Sequence, residues 1–159
     1  VNGEKEGYSS GMRRASELPF IKDIFQIGLR GVGSGREEEM NAALQYGANL
    51  ISAYEVHDIG IEAILQRVPS GGRFYITVDA DGMDPTVMPA VNAPTPGGLT
   101  WLQIREFIHG IANKGRVLGI DLVEISPQFE KGNITFIHAE RLLCNFIGAT
   151  VRADYFEDK

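Results

Sequence analysis

Ile76-Thr77-Val78-Asp79-Ala80-Asp81-Gly82-Met83-Asp84-Pro85 is the stretch around which this 159-residue chain is organised. It opens as a strand, because Phe74 to Val78 are aromatic or β-branched, types that suit a pleated surface. Two acids then follow at a spacing of two. In an extended chain such residues point the same way, so Asp79 and Asp81 are expected to share one face at a strand end, about 6–7 Å apart. Carboxylates that close repel, and without a cation one of them holds a proton. Spacing alone leaves two readings. Either the pair is a cation site, or Asp81-Gly82 opens a turn that Asp84-Pro85 continues.

The residues downstream bear on that choice. Asp84 to Thr100 contains Pro85, Pro89, Pro94 and Pro96. A loop of this length with no structure of its own is usually functional or disordered. Proline lowers the entropy of the free chain, so this loop reads as a fixed rim around a site. Carboxylate oxygens are hard ligands that suit magnesium, manganese or calcium better than zinc or copper. Two of them can serve a pair of ions about 3.5–4 Å apart, which makes hydroxide available from bound water.

On either side, apolar strands alternate with helical patterns. Asp23 to Leu29 reads as a buried strand and Arg30 to Gly35 as a turn. Ser34-x-x-Glu37 has the form of a capping box. The acids Glu37, Glu38 and Glu39 favour a helix N-terminus, with Met40, Ala43 and Leu44 as its buried stripe and Gly47 as its stop. Asn49 to Ala53 is a second strand, and His57 to Val68 a helix built on Ile61, Ile64, Leu65 and Val68. Arg73 to Asp79 is the third strand. Thr100-x-x-Gln103 caps a helix to about Lys114, Arg116 to Glu124 is the fourth strand, and Thr135 is the expected cap of a last helix to about Thr150. Val151 to Lys159 reads as a polar tail.

Strand–helix alternation means βαβ units, hence an α/β domain with a mostly parallel sheet between two helical layers. Continuous apolar strands fit a sheet covered on both faces. Ligands of such sheets bind beyond the carboxyl ends of the strands, and Asp79, Asp81 and Glu124 all fall at such ends. The chain is long enough for one domain with a real core. Its 43% hydrophobic and 23% charged residues are ordinary for a globular chain. A net charge of −6 argues against nucleic-acid and anionic-membrane partners, which call for basic patches, and is compatible with a small cationic substrate. Nothing approaches a membrane span. The single Cys144 cannot form an internal disulfide and sits among Leu142, Leu143, Phe146 and Ile147, so it is expected to be buried and inert. That apolar run is expected to be core.

The run Thr77-Val-Asp79-Ala-Asp81-Gly-Met-Asp84-Pro85, continued by Pro94-Thr-Pro96-Gly97-Gly98-Leu99-Thr100, resembles a signature of the arginase/agmatinase ureohydrolases. Gly119-Ile-Asp121-Leu-Val-Glu124-Ile-Ser-Pro127 is similar to the strand that carries that family's substrate-binding glutamate. Gly7-Tyr8-Ser-Ser10-Gly-Met-Arg13-Arg14-Ala is similar to its substrate-side loop. Agmatinase-like members are the closest in pattern. The resemblance implies an arginase-like fold, a binuclear manganese site with Asp79 and Asp81 as ligands, and Glu124 and Ser10 on the substrate side. It implies attack of a metal-bridging hydroxide on a guanidinium carbon, with release of urea. It implies a homo-oligomer, a trimer or hexamer, in polyamine metabolism; the lone cysteine, with no signal peptide visible, fits a reducing, cytoplasmic setting. Agmatine is the first substrate it suggests, with guanidinobutyrate and arginine as alternatives. Family segments of the form Gly-Gly-Asp-His and Asp-Ala-His-x-Asp, which carry four further ligands, do not occur here. The chain is therefore expected to be the C-terminal portion of such a fold: loop and helix at 1–22, βα units at 23–150, tail at 151–159.

Ser10 departs from the family, where a histidine often shuttles protons. Serine has no pKa near neutrality, so no catalytic acid is assigned. Arg13 and Arg14 are expected to cap and pack a helix, with binding of a substrate carboxylate as the alternative, and Asp121 to be a structural acid bonded to nearby backbone. His57, His109 and His138 fall in or beside helices without ligand spacing and read as structural or surface residues, and Trp101 as packing or else a wall of the site. Two other functions stand beside the hydrolase. One is a non-catalytic chain that keeps the fold without the metal site. The other is a dinucleotide site, with Gly31-Val-Gly33-Ser-Gly35 between strand and helix and Glu55 about 20 residues on. Its third glycine is replaced by Arg36.

Overall fold

A computed structural model describes residues 6–31 and 35–153. A 3-10 turn at Tyr8–Ser10 leads into α1 (Gly11–Ser16). Then come β1 (Phe25–Leu29), α2 (Glu37–Tyr46), β2 (Asn49–Ser52), α3 (Ala53–Arg67) and β3 (Arg73–Asp79). A 3-10 turn at Ala80–Gly82 and the proline loop connect to α4 (Trp101–Lys114), β4 (Arg116–Val123) and α5 (Ile134–Arg152). The strands form two parallel pairs. In β1–β2, Phe25 stands opposite Asn49, and in β3–β4, Thr77 stands opposite Asp121 and Asp79 opposite Val123. Among the described residues these pairs are not joined into one sheet.

Local chemistry explains most boundaries. Thr100 Oγ1 accepts the Gln103 N–H, and the Gln103 side chain accepts the Thr100 N–H at 2.9 Å, so the expected capping box opens α4. Gly47 ends α2 at φ 91°. The start of α2 differs in detail. The Glu39 carboxylate accepts the Arg36 N–H at 3.1 Å, while Ser34 lies outside the described residues. Helix α3 begins four residues before the expected His57. Ser52 Oγ accepts the Glu55 N–H at 3.1 Å, and Ser52-x-x-Glu55 is itself a capping signature that the apolar spacing obscured. Gly60, at φ 79° and ψ 165°, breaks α3 into two helical pieces, a conformation open to glycine alone.

Thr135 is not a cap. It lies one residue inside α5, fully buried, and its Oγ1 accepts the Ala90 N–H at 3.0 Å. The helix is capped from outside by Glu130, whose carboxylate accepts N–H groups from Lys131, Gly132 and Thr135 at 2.9–3.0 Å. Helix α5 also runs into the expected tail, to Arg152.

Helix α4 packs between α3 and α5, with α3 also against β1 and β2 and α4 against β4. The core joins Val56, Ile61 and Ile64 of α3, Ile76 and Val78 of β3, Ile104, Ile108 and Ile111 of α4, and Leu142 of α5. Met83, Met88, Val91 and Leu99 enter it from the proline loop, which makes that loop part of the packed interior. Three apolar expectations fail. Met40 and Leu44 of α2 are exposed, and α2 has no buried residue. Leu143 and Ile147 are exposed, because only the Leu142 side of α5 meets α4. Cys144 is exposed as well, and its Sγ donates to Glu140 Oε1 at 3.4 Å. The face of β3 carrying Tyr75, Thr77 and Asp79 is open, while Ile76 and Val78 point inward. No helix among the described residues is long and apolar enough to cross a membrane.

Candidate metal and substrate site

Strand β3 ends at Asp79 and the chain at once tightens into the Ala80–Gly82 turn. The two acids are therefore not partners on a continuous pleat, as strand alternation suggested. An Asx turn joins them: Asp79 Oδ1 accepts the Asp81 N–H at 2.8 Å. The charges still interact. The Asp79 carboxyl is raised above its ordinary pKa first by loss of hydration and also by the negative charges of Asp81 and Glu124. The Asp81 N–H bond and the Arg30 guanidinium oppose that rise. Asp79 exposes much of its residue surface, yet protein on its other side is dense enough to make hydration the leading effect. Neither Asp79 nor Asp81 has an ion pair with lysine or arginine among the described residues.

Glu124 follows β4 directly, beside the β3 end, and its backbone is left-handed at φ 63°. For a residue with a Cβ this costs about 1–2 kcal/mol, and such strain gathers at functional sites. The parallel pairing of β3 and β4 thus brings Asp79, Asp81 and Glu124 to one end of one sheet. Ser10 lies in the N-terminal 3-10 turn, buried, with its N–H on Gly7 O at 2.9 Å.

The surroundings of the acids are tightly tied. Asp84 accepts from Thr86 N at 3.0 Å, Thr86 Oγ1 at 2.6 Å and Gly97 N at 2.9 Å. These bonds, the Thr86 hydroxyl first, bring its pKa down to about 2. His57 Nε2 lies 3.0 Å from Gly98 O, and its Nδ1 3.2 Å from Gln103 Nε2. His138 bonds Val87 O and stacks beside Trp101, with ring centroids 5.4 Å apart. His109 faces Asn145. The histidines and Trp101 are thus structural here, as expected. Asp121 is structural too, but its partners are side chains: Tyr75 OH at 2.9 Å and Thr77 Oγ1 at 2.5 Å. Arg13 and Arg14 do not cap a following helix; both pair with Glu17 at the end of α1. Sequence reasoning passed over Arg30, which it treated as the first residue of a turn.

The donor set suits a hard divalent cation, with two carboxylates on one turn and a third acid nearby. It is incomplete as a site: no group of three or more His, Cys, Asp or Glu among the described residues is placed to hold a metal. The dinucleotide alternative loses ground. Glu55 is paired with Arg67 at 2.6 Å, and three acids occupy the first turn of α2, where a pyrophosphate would have to sit; Gly33 itself lies outside the described residues.

The arginase family model matches residues 2–148. The guanidinobutyrase of Pseudomonas aeruginosa is 33% identical over an alignment covering 94% of this chain and 49% of that protein. The agmatinase of Bacillus subtilis is 31% identical, over 89% and 47%. The agmatine ureohydrolase structure from Thermoplasma volcanium superposes with a TM-score of 0.82 at 33% identity, over 98% of this chain and 51% of that one. The α/β arginase-like fold is thereby borne out. The chain spans about half the length of the curated relatives it matches.

Proposed function

This chain belongs to the arginase family, and from that premise we propose that it supplies one side of a manganese-dependent ureohydrolase site. Asp79 and Asp81 hold the metal ions, and Glu124 grips the guanidinium group of the substrate. The observation that supports this most is that Asp79, Asp81 and Glu124 lie at the same end of the β3–β4 pair, near enough for the charges of Asp81 and Glu124 to act on Asp79. Bound divalent ions supply Lewis acidity and activate water. A glutamate at Glu124 accepts two parallel hydrogen bonds from a planar guanidinium, which fixes its orientation as a point charge would not. The substrate proposed first is agmatine, with 4-guanidinobutyrate beside it. Ser10 is proposed on the substrate side. A cytoplasmic homo-oligomer belongs to the same reading.

Manganese binding followed by the electron paramagnetic resonance of free Mn2+ tests this. Asp79→Asn and Asp81→Asn should each weaken binding by at least about tenfold, the lower range seen when even outer partners of a metal are lost. Glu124→Gln should leave metal binding intact and abolish any effect of an added guanidino compound on it. Unchanged manganese binding in both aspartate variants would sink the assignment. A second reading, a chain that keeps the fold without turnover, is favoured by the two-ligand donor set. On that reading the 159 residues bind manganese weakly and release no urea from agmatine. Urea release by the purified chain overturns it.

A further inference from the structure

The geometry points to Arg30 as the positioning residue for the acidic turn: its guanidinium fixes the backbone on either side of Gly82 and so sets where Asp81 carries its carboxylate. Arg30 follows β1 directly. The two N–H groups of its Nη2 are shared among Asp81 O at 2.7 Å, Met83 O at 3.0 Å and Thr95 O at 2.6 Å. Its Nη1 donates to Gly82 O at 3.2 Å and Gly28 O at 3.4 Å. Its Nε is shared between Thr95 O at 3.1 Å and Pro96 O at 3.3 Å. Every one of these acceptors is a main-chain carbonyl. A guanidinium has five N–H donors in a rigid fork, and here the fork is fully spent on three segments: the end of β1, the Asp81–Met83 turn and the proline loop.

The acceptors explain the need for a cation. Asp81, Gly82 and Met83 are consecutive, and their carbonyls converge on one group. Aligned carbonyl dipoles repel one another unless positive charge lies between them. Asp81 is then held on both sides, its N–H on Asp79 Oδ1 and its C=O on Arg30 Nη2. With both peptide planes fixed, the direction of its Cα–Cβ bond is fixed. Its Oδ1 meets the Ala93 N–H at 3.4 Å, on the same rim that Arg30 secures. A lysine would keep the charge but has three donors at a point, and cannot span carbonyls of two loops.

This inference rests on the metal assignment for its purpose but not for its geometry, so the test has two arms on the full chain. The first uses no metal: amide hydrogen exchange of Arg30→Lys and Arg30→Ala, compared with Leu142→Ala as a purely structural control. Both Arg30 variants should speed exchange at Asp81, Met83, Asp84 and Leu99 by about tenfold or more, the scale of losing hydrogen bonds to a charged group. The amides of β1, β2 and α4 should hold their rates. Leu142→Ala should speed exchange across the core instead. The second arm is a Mn2+ titration read by paramagnetic broadening at the Asp79 and Asp81 amides, which the Arg30 variants should shift to higher Mn2+ and Leu142→Ala should not. Wild-type exchange in Arg30→Lys, or faster exchange spread evenly over the chain, overturns the positioning role. Absence of site-specific broadening in the unaltered chain overturns the metal assignment, and the exchange arm still decides on Arg30.

Discussion

Replacing Gly98 by alanine probes how closely the acidic turn is built against its rim. A Cβ at this position would meet Asp84 N and Met83 C at 2.5 Å and Met83 O at 2.6 Å, where real Cβ atoms essentially never come under 3.0 Å. All three obstacles are main-chain atoms, so no rotamer change relieves them. The segments must part, and parting strains the bridge that joins them: Asp84 N–H on Leu99 O and Leu99 N–H on Gly82 O, both 3.0 Å. Overpacking of a tight site costs about 1–3 kcal/mol, and each weakened hydrogen bond adds about 0.5–1.5 kcal/mol. The sum is about 4 kcal/mol, which for a chain of this size lowers the thermal midpoint by roughly 8–16 °C. Gly97→Ala is the comparison. It sits at φ 77° in open space, so its cost is conformational, about 1–2 kcal/mol. Gly110→Ala is a second one, since its Cβ meets only side-chain carbons of Leu65, which can turn aside. Urea denaturation followed by circular dichroism ranks the three. If Gly98→Ala lies within about 0.5 kcal/mol of the parent, or below Gly97→Ala, the close-packed description of the turn is wrong.

Thr135→Val keeps volume but removes the acceptor of the buried Ala90 N–H. It should cost about 1–3 kcal/mol by urea denaturation, the penalty of an orphaned buried donor. Glu130 is held at about pKa 2 by the N–H groups of Gly132, Thr135 and Lys131 and the Thr135 hydroxyl. A folded pKa below the ordinary 4.5 means its stabilisation is full above that value and is lost as pH falls through about 2. Acid titration of Glu130→Gln should therefore show a shallower loss of stability in that window, with the parallel contribution of Asp84 left in place. Leu142→Ala should cost about 2–5 kcal/mol and Ile147→Ala no more than about 0.5 kcal/mol, because the first is fully buried and the second is 59% exposed. Equal costs in calorimetry would contradict that reading of α5.

Features whose causes lie within a few residues were legible in the sequence. The β-branched run Phe74 to Val78 does form β3, Thr100 and Gln103 cap α4, and Gly47 stops α2. Glu130 capping α5 across the Lys131–Asn133 turn is almost as local, yet Thr135 had the better-known signature and misled. Exposure was less legible. Met40, Leu44, Leu143 and Ile147 have apolar side chains at helical spacing, but spacing says only that a face exists. Whether a neighbouring element covers that face is a matter of tertiary contact.

The sequence by itself determined the chemistry of this protein: which strand ends in acid, which loop is stiffened by proline, and which carboxylates are available at the ends of parallel strands. Tertiary structure alone decided their arrangement. Asp79 and Asp81 are joined by an Asx turn because the strand stops between them, and Glu124 stands at the same end of the sheet because β4 pairs beside β3 in parallel register. Arg30, fifty-one residues before Asp81, has no sequence signal for its role, because its partners are main-chain carbonyls. Every residue offers a carbonyl, so only the folded path of the chain selects the ones a distant guanidinium will find.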